Sequence, residues 1–323
     1  MDLSVLFLGT AGSMPTVQRA PASLLVRRGG DRLLIDCGEG TQRQLLRSGL
    51  GLVDLDVVLI THLHGDHFLG LPGMLKTFTL RGRTAPLDVH GPRGLRTLMS
   101  DLRRIYGKLS YDVRLVEMAP NEAVELDGYR VGAYEVRHGT EALGYALVED
   151  DRPGRFDPSR AVELGLEPGP QFGLLQRGRS VEANGRTVRP DDVMGEARPG
   201  RKIVVTGDTE PCESTVAIAH RAELLVHDGT FAEEEIERAR QTGHSTARQA
   251  AEVARASEVS MLSLTHLSSR YFAPVIEKEA REVFEPTIVP RDFDVIEVPY
   301  RERGEPVAMS LREHRERTRP TRC

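Results

Sequence analysis

Thr61-His62-Leu63-His64-Gly65-Asp66-His67 places three imidazoles and a carboxylate within one short stretch. These donor types suit Zn²⁺ or Mn²⁺, and their close spacing on a turn lets several converge on adjacent ions. His62 and His64 fall on one side of an extended segment, because side chains alternate along a strand. Asp66 and His67 follow as the chain turns through Gly65 into FLGLPGMLKTF. Four ligands in one loop can feed two metal sites, each completed by residues from elsewhere.

Outward from this loop, other short apolar runs also end in a chemically capable residue. VLFLG leads to Thr10, RLLID ends at Asp36, VGAYEVRH at His138, KIVVTGD at Asp208 and MLSLTH at His266. Runs of this length rich in Val, Ile and Leu read as buried strands, so their ends lie at a sheet edge. Helical patterns lie between them: GTQRQLLRSGL after Asp36, and STARQAAEVARAS with Ser245 as its expected N-cap. The alternation predicts an α/β architecture with functional groups gathered at one edge. His62, His64 and His138 then make one ion site, and Asp66, His67 and His266 the other. Asp208 is the natural shared ligand, since a carboxylate can bridge two cations. Such a pair, roughly 3.5–4 Å apart, activates water and clamps phosphoryl or acyl oxygens. A hydrolase is therefore expected. There is no cysteine ligand for electron transfer, and the early GTAGSMP fits the dinucleotide-binding fingerprint poorly, which argues against redox chemistry.

At 323 residues and 39% hydrophobic, the chain has enough length for one large domain or two modest ones. No stretch approaches the roughly 18–20 apolar residues of a membrane span, and MDLSVLFLGT reads as a first strand, not a signal peptide. Cys37, Cys212 and Cys323 are widely separated, which points to a reducing compartment, the cytoplasm. The net charge of −5 gives no bulk attraction to nucleic acid, so an RNA partner needs a local site. Residues 150–200 are rich in Pro, Gly and Arg and place Arg177, Arg179, Arg186 and Arg189 against Glu182. A linker, a surface insertion and a protruding arm are all compatible with that composition. The charged segment 301–323 reads as a peripheral or frayed tail.

The pattern HxHxDH with the downstream His, Asp and His resembles the metallo-β-lactamase superfamily, whose fold is a four-layer αβ/βα sandwich. FLGTAGSMPT at 7–16, IDCGEGTQRQL at 35–45, TGDT at 206–209, GHST at 243–246 and THLSSRY at 265–271 are similar to its tRNA 3′-processing branch, the ribonuclease Z family. The resemblance implies a catalytic domain over 1–300 with an inserted RNA-binding arm at about 150–200, for which PGP at 168–170 supplies the Gly-Pro element. It further implies two Zn²⁺ per subunit (Mn²⁺ being possible), a precursor tRNA substrate and a homodimer. Metal-bound hydroxide is expected to attack the phosphorus after the discriminator nucleotide, leaving a tRNA 3′-hydroxyl and a 5′-phosphorylated trailer. In LVHDGTF, His227 and Asp228 occupy a His-Glu motif, Asp replacing Glu with one methylene less of reach. With His244 of GHST this motif is expected to assist proton transfer. Asp66 matches a position also given a proton-acceptor role, although a ligand carboxylate is a poor free base. Asp36 is expected either to hold a ligand histidine by a hydrogen bond or to cap a helix. Where many members carry PxKxR, this chain has Pro15, Val17 and Arg19, so the lysine associated with reading the tRNA 3′ end is absent. A small-molecule phosphodiesterase, or another hydrolase of the same fold, is the alternative.

Overall fold

The computed structural model describes residues 2–52 and 55–318; Cys323 lies outside them. The chain divides into two compact units, one of residues 1–148 with 201–323 and the other Glu149–Gly200.

The larger unit is built on two sheets. The first contains β1 (Leu3–Gly9), β2 (Ser23–Arg28), β3 (Asp31–Ile35), β4 (Val57–Leu59), β5 (Leu87–Gly91) and β6 (Val113–Glu117). The second contains β7 (Ala123–Leu126), β8 (Tyr129–Glu135), β9 (Leu143–Glu149), β12 (Lys202–Val205), β13 (Leu224–Asp228), β14 (Met261–Thr265) and β15 (Thr287–Ile288). The chain then returns through β16 (Asp294–Glu297) and β17 (Val307–Ser310), which complete the first sheet in the order β17-β16-β1-β2-β3-β4-β5-β6. The short hairpin β10 (Val181–Ala183) and β11 (Arg186–Val188) belongs to the smaller unit.

The strands show why the sheets stack. In β1, Leu3, Val5 and Phe7 join the core between the sheets, whereas Leu6 and Leu8 join the core on the opposite face. Both parities are apolar because both faces are covered. The outer face of the first sheet packs on α1 (Thr41–Ser48), α3 (Gly70–Leu80) and α4 (Leu95–Asp101) through Leu45, Met74, Phe78 and Met99. The short α2 (Gly65–Phe68) and α5 (Arg103–Tyr106) flank these helices. Truncating the fully buried Phe78 to Ala is expected to cost about 3–5 kcal/mol. The second sheet is covered by α8 (Glu213–Ala219), α10 (Ala247–Ala256) and α11 (Ala273–Arg281), with α9 (Ile236–Thr242) preceding α10 in the chain. Alanines 247, 250, 251 and 254 bring α10 close to that sheet. The result is the expected sequence of layers: helices, sheet, sheet, helices.

Two local expectations are corrected. The N-cap of α10 is Thr246, whose hydroxyl accepts the Gln249 N–H in a capping box, while Ser245 instead donates to the Thr209 carbonyl. Residues 301–318 are not a frayed tail. β17 pairs antiparallel with β16, and the following α12 (Leu311–Thr318) buries Leu311 and His314. Its charges face solvent while its few apolar groups find the sheet.

The smaller unit has its own apolar cluster of Ala161, Leu166, Leu175, Val181, Ala183, Val188 and Val193. Here α6 (Pro158–Glu163) is capped by Asp157, and α7 begins at Pro170 of the PGP element and runs to Gln176. Asn184 and Gly185, both at positive φ, form the two-residue turn of the hairpin.

Candidate metal centre

Parallel pairing of β3, β4 and β5 puts the ends of β3 and β4 at one sheet edge, and parallel β12, β13 and β14 do the same in the second sheet. Asp36 and His62 follow the first pair of ends; Asp208, Asp228 and His266 follow the second set. Asp36 and His266 are held at positive φ, 59° and 61°. Non-glycine residues reach that region at a cost of order 1–3 kcal/mol, which the surrounding contacts must offset. Gly207, also at positive φ, lies where a Cβ would be 2.8 Å from Thr61 Cβ, so only glycine lets Asp208 close on the loop.

Two groups of donor atoms result. His62, His64 and His138 form one, and Asp66, His67, Asp208 and His266 the other, each group offering atoms within 4.8 Å of one another. Between them sits Asp208. Its Oδ2 lies 3.3 Å from His67 Nε2, 3.3 Å from His266 Nε2, 3.7 Å from His62 Nε2 and 3.7 Å from His138 Nε2. Asp66 Oδ2 is 3.2 Å from His266 Nε2 and 3.5 Å from His67 Nε2.

The other ring nitrogens are already occupied. His67 Nδ1 lies 2.7 Å from Asp36 Oδ2, His138 Nδ1 donates to the Gly243 carbonyl at 2.8 Å, and His266 Nδ1 lies 2.9 Å from Thr230 Oγ1. His62 Nδ1 lies 3.1 Å from Thr61 Oγ1. Each contact fixes a ring with Nε2 aimed at the centre. Asp36 thus contacts a ligand-type histidine and is not the helix cap; Gly40 stands at that position of α1. Thr230 and the Gly243 carbonyl were not singled out from sequence, although both lie within stretches, LVHDGTF and GHST, that were. Thr61, immediately before His62, offered only its position.

Among the described residues, His62 Nε2, His67 Nε2 and Asp208 Oδ1 are buried without any hydrogen-bond partner. Orphaned buried donors and acceptors of this kind are costly, and a divalent cation is the partner that three such atoms share. Burial, reinforced by its histidine neighbours, holds His62 well below its ordinary pKa, which keeps a lone pair available. Burial alone would raise Asp208, but attraction from the neighbouring His266 and His67 rings outweighs it and holds the carboxyl well below its ordinary range. The cluster can therefore bind divalent metal.

Beside it, Asp228 is fully buried and saturated. Oδ1 accepts from the Thr230 N–H and hydroxyl, while Oδ2 accepts from the Thr209 N–H and sits 2.7 Å from His244 Nδ1. The shorter aspartate does reach its partner. Burial works against the charged His244 ring, but Asp228 outweighs it and pushes the imidazole up to about 9. His244 stacks on His266 with ring centroids 5.1 Å apart. His227 is not part of this arrangement: it shares strand parity with Leu225, on the helix-facing side, and its Nδ1 donates to the Asp228 carbonyl. Ser13 N–H closes the first-sheet side, donating to Asp66 Oδ2 at 3.0 Å. Arg177, Arg179, Arg186 and Arg189 are all exposed in the 149–200 unit.

The metallo-beta-lactamase superfamily profile matches residues 17–266. Ribonuclease Z of Methanosarcina acetivorans is 46% identical over 302 residues, covering 93% of this chain and 99% of the relative. Ribonuclease Z of Halorubrum lacusprofundi is 50% identical over 306 residues, covering 93% and 98%. Among solved structures, the short form of human tRNase Z aligns with TM-score 0.67 at 26% identity, over 92% of this chain and 99% of that one. A metallo-beta-lactamase fold protein from Bacillus subtilis gives the same TM-score at 17% identity, over 92% and 100%, a likeness of fold alone.

Proposed function

The chain belongs to the ribonuclease Z family of the metallo-β-lactamase superfamily, and from that premise we propose how its residues divide the work of removing the 3′ trailer from precursor tRNA. The protein is a hydrolase, an endoribonuclease acting on a phosphodiester. The observation that carries the assignment of roles is the place of Asp208 Oδ2 among four imidazole nitrogens drawn from both donor groups.

In this reading two Zn²⁺ bind per subunit. His62, His64 and His138 would hold one, Asp66, His67 and His266 would hold the other, and Asp208 would contribute to both. The donor set fits, because nitrogen-rich sites with carboxylates suit Zn²⁺, with Mn²⁺ the nearest competitor. When bound, such a pair supplies an activated water at neutral pH and charge stabilisation for the phosphoryl oxygens.

The chain's own residues do the rest. Asp36, Thr61, Thr230 and the Gly243 carbonyl orient the histidines. Asp66 serves as a ligand, its carboxylate committed to the cluster and so a poor free base. Asp228 holds His244 through Nδ1, leaving Nε2 to deliver a proton to the departing 3′-oxygen. That oxygen becomes the tRNA 3′-hydroxyl, and the trailer leaves with a 5′-phosphate. The exposed Arg177, Arg179, Arg186 and Arg189 contact backbone phosphates of the tRNA. Assembly as a homodimer and a cytoplasmic location complete the reading; the family resemblance supports the first and the scattered cysteines the second. Among the described residues no helix is long and apolar enough to cross a membrane.

The test is cleavage of an end-labelled precursor tRNA carrying a 3′ trailer, with and without chelator. Metal-dependent release of a 5′-phosphorylated trailer is expected; a product ending in a 2′,3′-cyclic phosphate overturns the assignment.

A further inference from the structure

Outside the 149–200 unit, one surface is strongly basic in a chain whose net charge is −5. Between positions 93 and 108 stand Arg93, Arg96, Arg103, Arg104 and Lys108 against the single acid Asp101. All five cations are exposed or half-buried at the surface. The segment 233–240, by contrast, sets Glu233, Glu234, Glu235 and Glu237 against Arg238 and Arg240.

Clustering of cations without carboxylate partners marks this surface. Some exposed arginines elsewhere meet carboxylates, as in Arg160–Glu163, Arg248–Glu282 and Arg270–Glu235. Among the described residues, the side chains of Arg93, Arg103, Arg104 and Lys108 have no hydrogen bond or ion pair. Several like charges left unneutralised repel one another and concentrate counter-ions, the condition under which a polyanion binds by displacing them.

The surface also begins at the cleavage centre. Segment 91–94 leaves β5 at the sheet edge where β4 gives way to His62. A Cβ on Gly94 would lie 3.4 Å from Leu63 Cδ1, and Leu63 stands between His62 and His64. The start of α4 is pinned there: Glu117 Oε1 accepts the N–H groups of Gly94 and Arg96 at 2.9 and 3.0 Å, and Arg96 Nε donates to the Leu115 carbonyl. From Arg93, helix α4 rises about 10 Å before Arg103 and Arg104 follow on α5. The exposed Lys76 of α3 joins them, donating to the Lys108 carbonyl.

We propose that Arg93, Arg103, Arg104 and Lys108 form a second RNA-backbone contact surface, taking successive substrate phosphates on one side of the cut. The proposal rests on the reading that precursor RNA is the substrate. An acidic protein surface could satisfy the same charges, but a track that begins beside the metal loop favours the molecule being cut. Guanidinium groups suit phosphate because their planar donors can bind it bidentately.

The experiment is filter binding of labelled precursor tRNA to the full-length, metal-loaded protein between 50 and 200 mM salt. The R103Q/R104Q variant is expected to bind about tenfold more weakly at the low end. Its plot of log affinity against log salt should be shallower by about 1–2, since every phosphate that goes unneutralised takes about 0.7–0.9 from the slope. The R103K/R104K variant, which keeps the charges, should retain the wild-type slope. Unchanged affinity and slope in R103Q/R104Q overturn the proposal while leaving the tRNA reading intact. Weaker binding at an unchanged slope also overturns it, because the contact is then not to phosphate. A wild-type protein that neither binds nor cuts precursor tRNA overturns the underlying reading, and this proposal with it.

Discussion

Asp36 Oδ2 lies 2.7 Å from His67 Nδ1, and the same carboxylate accepts the Thr61 N–H and hydroxyl. One residue outside the donor set therefore holds both the beginning and the end of the THLHGDH loop. Asp36→Ala should weaken metal binding about 10–100-fold, the usual effect of removing such a partner. Competition against a graded chelator series measures this directly. Unaltered affinity would show that the loop is held by its other contacts.

Asp208→Ala should lower occupancy of both metal positions together, because its Oδ2 lies near nitrogens from both groups. His62→Ala should chiefly empty the position it shares with His64 and His138. Native mass spectrometry, which counts ions per chain, distinguishes the two patterns.

His244→Ala should leave precursor tRNA affinity within a few-fold of wild type while slowing single-turnover cleavage about 10²–10⁴-fold, the span of a proton-transfer residue. Asp228→Asn should act in the same direction, because Nδ1 then faces a neutral amide in place of a carboxylate. If affinity falls and the single-turnover rate holds, His244 is a contact residue and not a proton donor.

Replacing Arg177, Arg179, Arg186 and Arg189 together by Gln in the full chain should make precursor tRNA binding less salt-dependent. The slope should fall by about 3 if all four meet phosphates. Each is exposed, so the substitutions leave the unit's apolar cluster untouched. A wild-type slope in the variant would make the 149–200 unit a passive insertion.

Val17 is fully exposed, whereas Arg19 turns inward to the Pro290 carbonyl at 2.8 Å. With no lysine at position 17, precursors bearing CCA should be cut at a rate comparable to CCA-less ones. Val17→Lys should then slow the CCA-bearing substrate selectively. Paired cleavage assays on the two substrates settle the point, and strong CCA inhibition in the wild type would count against it.

The donor set is legible in the sequence because metal chemistry uses few residue types and strand ends share one edge. His62, His138, Asp208 and His266 each stand at the end of an apolar run, and parallel pairing brings the ends of β4, β12 and β14 to the sheet edges. Some further signals are present but weaker. Asn184-Gly185 marks a hairpin turn inside a segment whose composition alone suggests a linker or an arm. Strand parity is enough to turn His227 away from the site, since Leu225 faces the helices.

By itself, then, the sequence determined which residues can hold metal and that layered sheets would carry them. Donor chemistry and the two-residue period of buried strands are local properties, written in the order of the residues. Only the tertiary structure decided which nitrogen of each ring faces the centre. That choice depends on the Gly243 carbonyl, Thr230 and Asp36, partners up to 105 residues away along the chain. It also decided that Asp228 reaches His244, and that β17 completes a sheet begun at Leu3. Such contacts depend on distances across packed elements, and no spacing along one chain encodes them.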